Sequence, residues 1–315
     1  MLIAQPLMHG RKKYTMSRRI IYFINPVAGT RKKDLLVKLI EEKTNQQRIP
    51  FEIMATNAEG DYTFLKEKIE QEGITDIVVC GGDGTINQVA KTLLEEAVNI
   101  GIIPMGSGNG LAFAAGIPKQ PAKALDVIFT GKACYIDAFY INDIFSCMLC
   151  GLGFDAQVAH DFARQGKRGL ATYIRQTIRN FFNARPYSFD LVVKGKSFNT
   201  PAYFISIANS NQFGNQFTIA PKASLSDGML DVVVVKKMNK LRMLLAVMQQ
   251  IKTGDIAELN DNTFKRKHVL YFQVPRLIIN NLQMAPLHID GDPAATARRF
   301  SVEIIPQAFK LLQPK

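Results

Sequence analysis

The 315-residue chain has no run approaching the roughly 20 apolar residues that a membrane-crossing helix needs, which leaves a soluble or peripheral protein. Residues 1–16 contain the basic run Arg11-Lys12-Lys13 but neither a long apolar core nor a cleavage-site pattern. They are read as a disordered extension, with Met16 as an alternative start. Nucleic-acid modules are missing as well: there is no helix-turn-helix spacing, zinc finger or aromatic RNA-binding signature. A net charge of +12 still asks for an anionic partner, so nucleotide or an anionic membrane is expected and nucleic acid is not. Cysteine is scarce. Cys147 and Cys150 form a CxxC inside an apolar run without a second ligand pair, so buried thiols in a reducing cytoplasm are expected over zinc or redox chemistry. Neither internal repeats nor a low-complexity linker divide the chain.

What is present is a change of periodicity near Gly131. Before it, apolar runs alternate with helical patterns: strands over 20–24, 51–56, 76–80 and 99–104, and helices over 31–46, 60–72, 85–97, 107–115 and 121–130. Such alternation predicts a mostly parallel sheet covered on both faces. After Gly131, strand-like runs such as CYIDAFYI, IFSCMLCGLGF (144–154), AYFISIANS, MLDVVVV and RFSVEII follow one another, interrupted by helices near 157–183 and 239–252. This predicts an antiparallel β-sandwich or barrel. The domains are accordingly read as 17–130 and 131–315, with the extreme C-terminus free to return to the first.

Gly81-Gly82-Asp83-Gly84-Thr85 stands directly after an apolar strand and before a helix. Glycine lets a backbone turn sharply and approach a ligand without a Cβ. The unpaired amides of the following helix suit phosphate. Asp83 is the odd member, since an acid beside phosphates is repelled unless a metal or a proton transfer requires it; its bland reading is a helix cap. Two more small-residue turns, Asn25-Pro26-Val27-Ala28-Gly29-Thr30 and Gly106-Ser107-Gly108-Asn109-Gly110, follow other strands of the same sheet. Together the three can enclose one polyanion beyond the strand ends. The set is neither a P-loop nor a Rossmann GxGxxG.

In order, NPVAGT (25–30), GGDGTINQV (81–89), GSGNGLAFAAGIP (106–118), GLGFDAQV (151–158), SDGMLDVV (226–233) and DGDP (290–293) resemble the diacylglycerol kinase catalytic family, which includes bacterial diacylglycerol kinases, sphingosine kinases and ceramide kinases. The resemblance covers about 17–310. It implies a nucleotide-binding α/β domain followed by a β-sandwich, with an active site in the cleft between them. It implies an ATP- and Mg2+-dependent kinase acting on a hydroxyl of diacylglycerol, a sphingoid base or a related lipid. By position, Asn25, Pro26, Gly29, Thr30, Thr56, Gly81, Gly82, Asp83, Gly84, Thr85, Asn87, Gly106, Ser107 and Asn109 would contact the nucleotide. Asp83, Asp290 and Asp292 are the catalytic acids. Members differ on which of them is the base; Asp290 is favoured, with Asp292 beside the nucleotide and Asp83 near the reacting hydroxyl or metal. The resemblance also implies a structural magnesium at Asp227 with the carbonyls of Ser224 and Met229. Two departures, Gly110 where many bacterial members carry Asp and DGD in place of DGE, bear on substrate assignment. The bland reading of Asp290 is a hairpin-turn aspartate, and His288 is given no role.

Between Asp161 and Asp190 the chain has the basic residues Arg164, Lys167, Arg168, Arg175, Arg179 and Arg185 and no acid, interleaved with Leu170, Tyr173, Ile174, Ile178, Phe181 and Phe182. This segment is expected either to dock on an anionic membrane or to pack its apolar residues into the sandwich. A second basic cluster, Lys236, Lys237, Lys240 and Arg242, adjoins the apolar LLAVM. The protein is expected at the inner face of the cytoplasmic membrane, and the β domain could pair edge to edge into a homodimer. Two rival readings are an NAD kinase-like phosphotransferase, which shares GGDGT, and a non-catalytic lipid-binding protein on the same fold.

Overall fold

The computed structural model describes residues 18–24, 30–57, 59–165, 170–212, 220–257 and 260–315. The parallel strands are β1 (Ile20–Ile24), β2 (Phe51–Ala55), β3 (Asp76–Gly81) and β4 (Asn99–Pro104). They lie in the order β2-β1-β3-β4, each neighbour parallel. Every residue of β1 and β3 is buried, as continuous apolar strands require when helices cover both faces. The covering helices are α1 (Thr30–Gln46), α2 (Phe64–Glu72), α3 (Asp83–Thr92), the short α4 (Gly110–Ala114) and α5 (Pro121–Thr130). Gly73 ends α2 at φ 65, a left-handed C-cap that favours glycine. At the opposite end of the sheet from the glycine turns, Arg18 grips the buried Asp76 with two bonds of 2.8 and 3.0 Å, a bidentate pairing.

The second half is antiparallel for most of its length. Its strands are β5 (Lys132–Ile141), β6 (Ile144–Ser146), β7 (Leu149–Gly153), β8 (Tyr187–Val193), β9 (Lys196–Ala208), β10 (Leu230–Lys236), β11 (Val269–Val274), β12 (Arg276–Asn281), β13 (Leu287–Ile289), β14 (Asp292–Ala294) and β15 (Arg299–Gln313). Its helices are α6 (Phe154–Ala163), α7 (Leu170–Asn183), α8 (Lys240–Thr253) and α9 (Asp261–Arg266). The single helix expected near 157–183 is therefore two, and the continuous run 144–154 divides into β6 and β7. Phe189, Leu191, Ile205, Ile207, Val232, Val234 and Phe300 form the core of this half. They alternate along their strands, as a pleat with one face inward demands.

β15 joins the halves. Arg299–Glu303 pair with β12, the strand runs antiparallel to β5 through a register shift after Ile305, and Lys310 and Leu311 lie parallel to Asn99 and Ile100 of β4. The parallel sheet therefore continues into the β region without a hinge of coil. None of the helices, among the described residues, is long and apolar enough to cross a membrane.

Candidate active site

The carboxyl edge of the parallel sheet carries two glycine turns in backbone contact. Gly82 follows β3 and caps α3 in extended conformation, and Gly106 follows β4. A Cβ on Gly106 would fall 2.6 Å from the Gly82 Cα and 3.0 Å from Asn109 Oδ1, so any side chain there forces the turns apart. Asn109, buried and left-handed at φ 54, locks its own turn. Its Oδ1 accepts the Gly106 amide and its Nδ2 donates to the Gly106 carbonyl, both at 2.8 Å. Thr56 lies at the same edge, its amide donating to the Ile24 carbonyl at 3.0 Å. Ser107 is exposed and Thr85 half-buried.

Asp83 opens α3 yet its carboxylate caps a different helix. Oδ2 accepts the Gly110 amide at 3.0 Å and Oδ1 the Leu111 amide at 3.4 Å, the first residues of α4. A carboxylate at a helix N-terminus is favoured there by the orphan amides and the dipole. Burial nevertheless lifts the Asp83 carboxyl to about 6, with the Asp290 charge adding to the lift and the amides of Gly110, Leu111 and Asn109 opposing it.

Asp290 reaches this edge from the other half of the chain. Asp290 and Gly291, with φ 49 and 87, make the two-residue turn between β13 and β14, as the Asp-Gly hairpin reading anticipates. The carboxylate is not left in solvent. Asn87 of α3 donates to its Oδ2 at 2.5 Å and Ser146 to its Oδ1 at 2.6 Å. The amides of Leu149, Met148 and Cys147 donate at 3.0, 3.2 and 3.4 Å. Burial raises its carboxyl and these donors work against the rise. The same Asn87 also donates to the Phe145 carbonyl at 3.2 Å, so one side chain of the parallel-sheet half ties both the acid and β6 to it. Asp292, exposed at the start of β14, turns toward α3: a Cβ on Gly84 would lie 3.4 Å from Asp292 Oδ2.

Residues 19–141 match the family model of the diacylglycerol kinase catalytic domain, and residues 149–313 that of the YegS C-terminal NAD kinase beta sandwich-like domain. The diacylglycerol kinase of Bacillus subtilis strain 168 is 30% identical over 281 residues, 87% of this chain and 89% of that one. The chain belongs to the diacylglycerol kinase catalytic family. A probable lipid kinase YegS-like protein of Chromohalobacter salexigens is 28% identical over 266 residues, 81% of each chain. A solved diacylglycerol kinase structure from Bacillus anthracis shares the fold of this kinase, with TM-score 0.75 at 20% identity over 96% of this chain and 98% of that one.

Of the positions expected at the nucleotide, the kinase thus gathers Thr56, Gly81 to Thr85, Asn87, Gly106, Ser107 and Asn109 along one edge. Asn25, Pro26 and Gly29 lie outside the described residues, and Thr30 opens α1. The side chains of Asn87 and Asn109 are engaged within the protein itself. Ser224, Asp227 and Met229 lie in the turn before β10: Asp227 Oδ1 accepts the Met229 amide at 3.1 Å. Gln273 bridges Asp227 Oδ2 at 3.3 Å and Asp231 Oδ1 at 3.1 Å. Asp231 Oδ2 is buried with no hydrogen-bond partner, and burial lifts the Asp231 carboxyl to about 6. Among the described residues no three His, Cys, Asp or Glu converge on a metal position.

Sequence reasoning missed Ser146 and the amides of 147–149, because a cradle of backbone donors has no residue signature. It also missed Asp137, which accepts the Gly228 amide at 2.7 Å and the Gln307 amide at 2.8 Å; an acid inside the apolar strand CYIDAFYI was the available signal. Cys80, Cys147 and Cys150 are buried free thiols that burial keeps protonated, while Cys134 is half-buried. His288, 2% exposed, faces Asp155 at 3.5 Å between β13 and α6.

Proposed function

We propose that this lipid kinase moves the γ-phosphoryl group of ATP, with Mg2+, onto a hydroxyl of diacylglycerol, a sphingoid base or a related membrane lipid. The observation that carries the reading is the 2.5 Å bond from Asn87 to Asp290. It holds the acids of the β half against the turn at 81–85, whose glycines and helix start suit a triphosphate. Phosphoryl transfer rests mainly on positioning and charge stabilisation, and the amides that open α3, together with the turns at Gly82 and Gly106, would supply both for the phosphates.

The three acids divide the work by their surroundings. Five donors occupy Asp290, and a carboxylate offers about four acceptor positions. Asp290, favoured as base on the resemblance, is therefore given the role of anchoring the hairpin that carries Asp292. Asp83 accepts only backbone amides, those of Asn109, Gly110 and Leu111, and titrates near 6, close to the value suited to a general base at neutral pH; it would take the hydroxyl proton. Asp292, an exposed hard-oxygen donor beside the start of α3, fits Mg2+, which typically takes one or two carboxylates and completes its shell with phosphates and water. When bound, Mg2+ offsets phosphate charge. The turn of Ser224, Asp227 and Met229 would hold a second, structural magnesium through hard carbonyl and carboxylate oxygens, and the Gln273 bridge ties Asp227 to Asp231, whose Oδ2 is orphaned.

Substrate would be met at a membrane surface through the basic segment 164–185. Arg175, Arg179 and Arg185 are exposed, as are Ile178 at 54% and Phe182 at 69%. Phe181 instead packs edge-on to Phe154, ring centroids 6.4 Å apart. The side chains of Lys167, Arg168, Leu170, Tyr173 and Ile174 lie outside the described residues.

The test is a panel of labelled ATP with diacylglycerol, sphingoid bases, ceramide and NAD, followed by mass spectrometry of products from a total lipid extract. A phosphorylated lipid that disappears with EDTA and with Asp83→Asn is the expected outcome. Phosphorylated NAD with no lipid product would overturn it.

A further inference from the structure

Helix α8 is apolar on two faces, and only one is covered. Met243, 2% exposed, with half-buried Ala246 and Val247, packs inward; Val247 lies against Val233 of β10 and Val269 of β11. The opposite row is in solvent: Leu241 is 70% exposed, Leu244 47%, Leu245 59% and Met248 58%. Their spacing i, i+3, i+4, i+7 puts all four on one stripe. The inward face fixes the orientation of the helix, so the outer row cannot roll away from water. Asn239 caps the helix through its side chain, accepting the Arg242 amide at 2.7 Å, and Gly254 closes it at φ 60.

The row does not stand alone. The Lys240 ammonium donates to the Phe182 carbonyl at the end of α7, which brings exposed Phe182, and Ile178 one turn before it, beside the start of the α8 row. The surroundings are of one sign. From Asp231 to Asp255 the intervening chain carries Lys236, Lys237, Lys240, Arg242 and Lys252 and no acid. The 161–190 stretch behaves likewise.

We propose that the outward row of α8, with Ile178 and Phe182 of α7, is the face that enters the interfacial layer of an anionic bilayer, basic residues of both helices lying at headgroup level. The proposal rests on the lipid-kinase reading for its biological purpose but not for its physics. Six exposed apolar side chains ringed by cations are the composition of an interfacial helix pair. Charge selects this occupant over a second copy of the chain. A two-fold contact sets the same patch against itself, and cations would then oppose cations without an acid to pair with, whereas an anionic leaflet is complementary.

The test uses the full chain and vesicles of phosphatidylcholine with 30% phosphatidylglycerol. Leu241→Gln/Leu245→Gln is expected to lower vesicle binding at least tenfold and turnover of vesicle-embedded diacylglycerol with it, while turnover of the same lipid in detergent micelles stays within twofold. Since the protein has no tryptophan, Leu245→Trp supplies a single reporter; its emission should shift blue on vesicle binding and be quenched by brominated acyl chains. Undiminished binding by the double variant, or a reporter that brominated lipid does not quench while the protein is bound, overturns the proposal. A parent protein that elutes as a dimer and becomes a monomer in the double variant, with vesicle binding unchanged, also overturns it, in favour of a contact between copies. If the protein phosphorylates no lipid yet the double variant loses vesicle binding, the docking face stands and the substrate reading fails. If the parent protein phosphorylates lipid yet binds no vesicles, the docking face fails and the substrate reading stands.

Discussion

Helices α5 and α8 are built from the same kinds of residue and face opposite ways. In the parallel-sheet half, α5 buries Ala124, Leu125 and Ile128 against the sheet, and α3 buries Ile86, Val89 and Ala90. In the β half, α8 buries Met243 and leaves Leu241, Leu244, Leu245 and Met248 outside. The acids are distributed with a similar contrast. Asp83 joins two turns of one sheet edge, whereas Asp290 is delivered to that edge by a hairpin from the other half. One half therefore holds the glycine corner, and the other supplies the acid hairpin and an exposed apolar row. Apolar residues on a helix do not by themselves say whether they pack on the protein's own sheet or stay exposed.

The contrast can be broken most severely at Asp83. Asp83→Asn should lower kcat by about 10²- to 10⁴-fold, the range of a lost general base, with a thermal midpoint close to that of the parent. Loss of less than tenfold in steady-state assays would move the proton acceptor to the β half.

A stability comparison sharpens the two helices. Leu125→Ala should cost about 2–5 kcal/mol in urea unfolding, the range for a buried leucine. Leu245→Ala should stay within about 0.5 kcal/mol, as surface changes do. Comparable losses for both would mean that the α8 row is covered in solution.

Asp290→Asn tests the link between the halves. The amide keeps the shape but cannot accept at its nitrogen from the donors gathered there, so destabilisation of about 1–3 kcal/mol is expected for buried groups left unpaired. Hydrogen exchange should quicken in β13 and β14 before it does in β3. Uniform exchange through both halves would show that Asp290 is not the tie.

The smallest effect is one of pH. Folded Asp83 titrates near 6, above its ordinary 3.8, so the folded chain binds more protons between those values. Stability from this group is therefore present at low pH and lost as pH rises through about 6. Urea midpoints at pH 5 and 7.5 should show Asp83→Asn gaining on the parent at the higher pH. In the parent, kcat/KM should rise through about pH 6 as the base ionises. Equal midpoint differences at both pH values would place the titration elsewhere.

Much of the parallel half was legible because its signals are local. IIYFI and DIVVC read as buried strands because helices cover both faces. Gly73 and Pro121 mark helix ends, and GGDGT sits at a strand–helix junction where glycine is needed. The β half was read as a class and blurred in detail. The 157–183 helix is two helices, and 144–154 is two strands, because periodicity does not report the bend at Cys147 and Met148, whose amides turn to Asp290. Asp290 was legible as a hairpin turn and as a candidate acid, yet the five donors around it were not, since three are backbone amides 141 to 143 residues away.

By itself the sequence determined the order of strands and helices in the parallel-sheet half, the glycine corners and the pool of acids that could do chemistry, because propensity, turn geometry and residue type act over a few neighbours. Tertiary structure alone decided that Asn87 would hold Asp290, that Asp83 would cap α4 rather than its own helix, and that α8 would keep an oily row in solvent. Those outcomes depend on which surfaces meet when β15 threads from the sandwich into the parallel sheet, and burial is a property of both partners rather than of either segment.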